Sequence, residues 1–319
     1  MEASVLPSDA DSVLPFTITS AGVRGRLIRL GPALQTILAR HAYPVPVARQ
    51  LAEFLLMTAG LSSMMKFDGI FTLQTRGDGP LRLMVADAAS TGALRGYAGM
   101  NQPELEALLA QDPAPSLPRL CGAGFLEFTV DREDGPRYQG TVEMTGARVS
   151  DCILHYFQQS EQLPSAIHVA IGSDPLFAAA MILQRLPASE YGTEHPDLLE
   201  AREEGWRRAA ILMSTLRDEE LLDQTLSPAS LVHRLFNEET YELHEVLSFT
   251  DQCRCSRERL TTVLASMSPE ELVEMQLPDG RIEAVCQFCS RSYDFQPDAL
   301  ATLKEAATSG SLDARQAKG

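Results

Sequence analysis

Four cysteines near the C-terminus constrain this chain more than any other feature. They read Cys253-Arg254-Cys255, then thirty residues, then Cys286-Gln287-Phe288-Cys289. Two close pairs separated by a folded insert can build a tetrahedral thiolate cage. Each pair brings two sulfurs to one ion, and the insert folds back to deliver the second pair. The site is closed and the spacing is not a ferredoxin run, which favours one Zn²⁺ per chain over an iron–sulfur cluster. The expected ligands are Cys253, Cys255, Cys286 and Cys289, with Arg254, Arg257 and Arg291 near enough in sequence to offset the thiolate charge. Cys121 and Cys152 read instead as small buried hydrophobes, the first at a strand edge and the second inside a helix.

Spacing alone is satisfied by a static zinc module that holds the C-terminus together. The first pair argues for a second possibility, because a disulfide across one residue closes a very small ring, is strained and is easily reduced again. Such a bond suits a reversible switch. Asp251 to Phe295 is short and poor in large apolar residues, whereas structural zinc contributes about 10–16 kcal/mol in small modules. Loss of the thiolates is therefore expected to release the metal and unfold the segment.

The rest of the chain is ample for a core. It has 319 residues, 45% of them hydrophobic, and no run of eighteen apolar residues, so two or three domains and no membrane span are expected. The acidic N-terminus lacks the pattern of a signal peptide, and a reducing cytoplasm is the expected compartment. A net charge of −16 makes nucleic acid a poor partner. From Glu190 to Glu245 there are fourteen Asp/Glu against five Arg and no Lys, so more than half of the excess charge sits in one middle segment.

Residues 1–15 read as a disordered extension. A strand is expected over Val23–Leu30, a short helix over Ala33–Arg40 and a long buried helix over Val47–Met65. Strand signals follow at Phe71–Thr75, Leu81–Ala86, Leu94–Ala98, Gly124–Val130 and Tyr138–Met144, joined by tight turns such as Gly77-Asp78-Gly79-Pro80. A helix over Val149–Ser160 and strands at Ile167–Ile171 and Ala178–Gln184 complete an α+β domain with a largely antiparallel sheet, assigned to residues 16–190. Residues 191–247 read as an acidic helical linker, in which Leu199, Trp206, Ala209, Met213 and Leu216 give a thin apolar stripe. That stripe fits either an ordinary docked helix or a metastable segment. The cysteine module is assigned to 248–297 and a tail to 298–319.

Catalytic patterns are absent. There is no GxxxxGK[ST] loop, no GxSxG elbow and no HExxH helix, and His41, His155, His168, His195, His233 and His244 show no ligand spacing. No enzyme is expected. A thiol–disulfide oxidoreductase ranks last, because four cysteines held on one metal leave no free attacking thiolate. A zinc-ribbon module for nucleic acid fits poorly, since Asp251–Phe295 holds five Arg against eight Asp/Glu.

Several motifs together resemble the bacterial heat-shock protein 33 family. They are Lys66-Phe67-Asp68-Gly69, Gly77-Asp78-Gly79-Pro80, Arg137-Tyr138-Gln139-Gly140, Ser160-Glu161-Gln162-Leu163-Pro164, Leu235-Phe236-Asn237-Glu238-Glu239, Cys253-Arg254-Cys255-Ser256-Arg257-Glu258-Arg259 and Cys286-Gln287-Phe288-Cys289 followed by Tyr293 and Phe295. The resemblance covers roughly residues 16–297. It implies a cytoplasmic, redox-regulated holdase that needs no ATP and is inactive when reduced and zinc-bound. Oxidants would form Cys253–Cys255 and Cys286–Cys289 disulfides, zinc would leave, and the module and linker would unfold. The chain would then bind unfolding client proteins, as a homodimer.

Overall fold

One long apolar helix, Val45–Ser62, organises the first part of the molecule. The computed structural model describes residues 10–187 and 196–296. From the N-terminus, β1 (Asp11–Ile18) and β2 (Val23–Leu30) form a hairpin, followed by α1 (Pro32–Ala39) and α2 (Val45–Ser62). Next come β3 (Gly69–Gly77), β4 (Leu81–Ala89), β5 (Ala93–Met100), α3 (Gln102–Gln111), α4 (Leu117–Cys121), β6 (Gly124–Arg132) and β7 (Tyr138–Glu143). Then α5 (Val149–Tyr156) runs into one π-turn over Phe157–Glu161, before β8 (Ser165–Ile171) and β9 (Ala178–Arg185). Three helices, α6 (Pro196–Ser214), α7 (Asp218–Leu222) and α8 (Pro228–Phe236), precede the short strands β10 (Tyr241–Leu243), β11 (Leu247–Ser248) and β12 (Thr250–Asp251). The chain ends its described part with α9 (Arg257–Ala265), α10 (Pro269–Glu274), β13 (Ile282–Val285) and β14 (Ser292–Phe295).

Two compact units meet in sequence between Gln252 and Cys253. The first holds two six-stranded sheets. One runs β10-β1-β2-β9-β8, with β11 also on β1; the other runs β12-β5-β4-β3-β6-β7. Every pairing in them is antiparallel except β12 with β5. The expected α+β class with mainly antiparallel sheet is the observed one.

Helix α2 is buried from Leu51 to Ser62 and packs against both sheets. A Cβ on Gly60 would lie 3.1 Å from Ile182 and 3.2 Å from Ile28 of the first sheet. On the opposite side Leu55 sits over Gly96 of the second. Glu53 is the buried charge of this helix, and its carboxylate accepts from the Ser150 amide (2.9 Å) at the start of α5.

Strand β9 shows why the first sheet is covered on both faces. Ala178, Ala180 and Ile182 join the core around α2, whereas Ala179, Met181 and Leu183 join a second core. An unbroken apolar run is what such a strand needs. The second core is closed by Ala209, Met213, Leu216, Leu221, Leu231, Val232 and Phe236 from the α6–α8 segment. The thin stripe expected there is thus docked on the sheet, through Ala209, Met213 and Leu216; the side chain of Leu199 lies outside the described residues. Arg29, buried in the same sheet, donates to the carbonyls of Leu226 (2.7 Å) and Asp223 (3.0 Å) in the α7–α8 loop.

Four expectations are corrected. Asp11–Pro15, read as disordered, belongs to β1, whose Val13, Leu14 and Phe16 are buried; residues 1–9 lie outside the described part. The segment read as a helical linker to residue 247 ends in strands β10 and β11, held on β1 by main-chain bonds. Cys121 lies at the end of α4 rather than in a strand. The helix from Val149 loses α-geometry at Phe157, where the π-turn begins and Gln162 turns left-handed at φ 54°. Residues 188–195 and the tail 298–319 lie outside the described residues.

Candidate metal centre

The second unit is small. Among its described residues the buried apolar cluster is Leu264, Leu272, Ile282 and Phe295, from α9, α10, β13 and β14. Helix α9 starts at Ser256, whose hydroxyl accepts from the Arg259 amide (3.3 Å), and α10 starts at Ser268, which forms a capping box with Glu271. Such caps satisfy amides that a helix end leaves unpaired.

Each cysteine pair lies next to one of these elements. Cys253 and Cys255 lie in the irregular stretch that leads into α9. Cys286 and Cys289 lie in the tip of the β13–β14 hairpin, where Val285 pairs with Ser292. The tip is closed by the Cys286 amide donating to the Arg291 carbonyl (2.9 Å) and the Ser290 amide donating to the Cys286 carbonyl (2.8 Å), with Ser290 left-handed at φ 56°.

The insert returns the second pair to the first. All four Sγ atoms lie within 4.8 Å of one another. Cys253 and Cys286 are 3.7 Å apart, and Cys255 and Cys289 are 3.3 Å apart. A tetrahedral ion with sulfur ligands at about 2.3 Å would separate them by about 3.8 Å. The four sulfurs can therefore hold a metal ion, and the donor set is all sulfur. Among the described residues no other group of His, Cys, Asp or Glu side chains is gathered in this way.

The surroundings add two groups. The Tyr293 hydroxyl lies 3.3 Å from Cys255 Sγ. Arg291 has its guanidinium pKa raised by Tyr293 and by the nearby Cys255 and Cys289. Burial pushes the Cys289 thiol up to about 12, and the adjoining thiols add to it. Sulfurs gathered this closely resist ionising unless a cation joins them. Of the three arginines expected to offset thiolate charge, Arg291 is placed to do so. Arg257 is engaged elsewhere, donating to the Asp294 carbonyl (2.7 Å) with its guanidinium 5.0 Å from the Phe295 ring centre. Tyr293 has no spacing signal that marks it; only the two-residue alternation of β14 brings its hydroxyl back to Cys255.

Cys121 and Cys152 are fully buried in the first unit. Four of the described histidines are in ordinary contacts: His244 with Thr17, His233 with Tyr241, His168 with Asp218 and His41 against the Tyr43 ring. No described helix is long and apolar enough to cross a membrane.

Comparison with known proteins follows the same outline. A sequence model described as Hsp33 protein matches residues 11–296. A 33 kDa chaperonin of Caulobacter vibrioides is 36% identical over 294 residues, 90% of this chain and 95% of the relative. Another, from Photorhabdus laumondii, is 33% identical over 296 residues, 92% of this chain and 96% of the relative. Among solved structures, a 33 kDa chaperonin of Thermotoga maritima superposes with a TM-score of 0.76 at 23% identity. It covers 94% of this chain and 99% of that one, a likeness of fold.

Proposed function

The chain belongs to the Hsp33 family, and on that premise we propose that it is a redox-regulated, ATP-independent chaperone of the cytoplasm that holds unfolding proteins and prevents their aggregation. The observation that carries the reading is the gathering of four sulfurs within 4.8 Å on a unit with four buried apolar side chains of its own. Apolar side chains contribute about 1.5–3 kcal/mol each when buried, too little to order a unit of this length without a further tie.

In the reduced state Cys253, Cys255, Cys286 and Cys289 would hold one Zn²⁺ as thiolates. The ion supplies cross-linking and charge neutralisation, worth about 10–16 kcal/mol in small modules. Tyr293 donates a hydrogen bond toward Cys255, and Arg291 offsets the excess negative charge. Hypochlorite or peroxide takes two electrons from each pair, giving Cys253–Cys255 and Cys286–Cys289 disulfides while the oxidant is reduced to chloride or water. A disulfide sulfur is a poor ligand, so the oxidised cysteines would no longer hold an ion. The cysteine module then unfolds, and the acidic α6–α8 segment loosens from the first sheet and uncovers Phe16, Leu27 and Met181. Clients bind the oxidised chain, which associates as a homodimer.

The test is light scattering from a heat-unfolding client, without ATP, with the chain either reduced and zinc-loaded or oxidised and zinc-free. Suppressed aggregation with the oxidised form alone is the expected result. Equal behaviour of the two forms would leave a static zinc module and sink the switch. The Cys→Ser variant at all four positions should bind no zinc and show no response to oxidant.

A further inference from the structure

The stretch Thr240–Gln252 crosses the outer edges of both six-stranded sheets. Along β1, Ile18, Thr17 and Phe16 stand opposite Tyr241, Glu242 and Leu243, and Val13 and Ser12 stand opposite Leu247 and Ser248. Main-chain bonds hold it there. The Thr19 amide donates to the Thr240 carbonyl (2.9 Å), the His244 amide to the Pro15 carbonyl (2.9 Å) and the Phe249 amide to the Asp11 carbonyl (2.8 Å). The stretch then passes to β5, where the amides of Thr250 and Gln252 donate to the carbonyls of Gly92 (2.9 Å) and Leu94 (3.1 Å).

Side chains anchor it thinly. Leu243, Val246 and Leu247 are 42%, 43% and 39% exposed. Phe249 is buried, Asp251 is ion-paired with Arg40, and His244 meets Thr17 (2.8 Å). Beneath Val246–Phe249 lies a cleft of about 780 Å³ bounded by Phe67 and by Ser90–Gly92. The next residue in the chain, Cys253, is a member of the sulfur cluster.

We propose that Thr240–Gln252 is a displaceable strap, and that the edges of β1 and β5 it covers are strand-addition sites for extended segments of unfolded polypeptide. The inference rests on the chaperone reading and names its binding mode. The strap shows what the edge accepts: an extended chain with aromatic or aliphatic residues at alternate positions, Tyr241 and Leu243, then Leu247 and Phe249, the last held on β1 by its amide alone. Main-chain pairing reads no particular sequence, which suits partners that share little beyond an exposed backbone. β1 carries a second sign. Pro15 faces the gap between β10 and β11, and proline is a device that blunts edges left open to solvent. A permanently covered edge has no need of it. Here it limits pairing to short stretches on either side.

The test uses the full-length chain and a fluorescent peptide spanning Thr240–Gln252. Anisotropy should show binding to the oxidised chain and none to the reduced one, with the peptide displaced by a thermally unfolded client. Methylating the peptide amides of Glu242 and His244, which face β1, should weaken binding roughly tenfold or more, the loss of about two hydrogen bonds. Methylating Leu243, which faces away, should leave it unchanged. If the oxidised chain suppresses client aggregation yet ignores the peptide, or binds all methylated forms alike, strand addition is wrong and the chaperone reading stands. If the peptide dissociates an oxidised dimer without affecting client protection, the edge belongs to a second copy and the client assignment is overturned. An oxidised chain that fails to protect any client overturns the chaperone reading and this proposal with it.

Discussion

Six thiols in one chain divide by environment. Burial pushes Cys121 up to about 12, with the neighbouring Cys152 adding to it, and Cys152 is raised by burial as well. Both are also fully buried in the first unit, so iodoacetamide, which needs an accessible thiolate, should spare them at pH 8. It should label the four C-terminal cysteines once metal chelation has opened their module and returned their thiols to water, as read by peptide mass spectrometry. Glu239 tests a different tie. Its carboxyl is held below the ordinary value of 4.5, first by the hydrogen bond from Arg208 on α6 (2.8 Å). A depressed carboxyl contributes stability that is present above 4.5 and lost as pH falls through the lower folded value. Arg208 is 46% exposed, which limits the pair to about 0.5–1 kcal/mol. The Glu239→Gln variant should therefore unfold in less urea than the wild type at pH 7, with the difference vanishing well below pH 4.5. At this scale the sulfur cluster was legible because cysteine spacing is a local property. The Tyr293–Cys255 contact was not, because it depends on the register of a hairpin whose sequence, Ile282 to Phe295, fixes no register by itself.

Among the elements, α6 docks on the first sheet through few buried side chains, Ala209 and Met213. Gly205 lies against β-hairpin residue Ala21, and a Cβ there would come within 2.8 Å of the Ala21 Cα and Cβ. Backbone cannot yield as a side chain does, so Gly205→Val should push α6 off the sheet despite its gain in helix propensity, at a loss of about 1–3 kcal/mol. The expected outcome is faster tryptic cleavage at Arg207 and Arg208 with zinc still bound, and client protection by the reduced chain. A variant as resistant and as inactive as the wild type would show that α6 restrains nothing. The stripe that docks this helix was readable as periodicity, though periodicity could not say whether it docks. The strands β10, β11 and β12 were not readable, because two or three residues form no pattern and main-chain bonds leave no mark on sequence. Pro15 concealed β1 in the same way: proline argues against a strand, and only its place opposite the β10–β11 gap makes it tolerable.

The whole molecule has a well-packed first unit and a second whose core, among the described residues, is four apolar side chains and a cluster of sulfurs. Its class, its antiparallel sheets and its C-terminal cluster of four sulfurs follow from turn chemistry, alternation and cysteine spacing. The layering of α2 between two sheets does not, since a helix apolar on all sides announces burial but not its neighbours. In the proposed switch one event, loss of the thiolates, would both free the metal and turn on client binding. The decisive experiment oxidises the zinc-loaded chain with graded hypochlorite while following released zinc with a chelating dye and client protection by light scattering. The expected result is one zinc released per chain and protection rising in step with it, both reversed by reductant and zinc. Full protection with zinc retained, or complete zinc release with none, would contradict it.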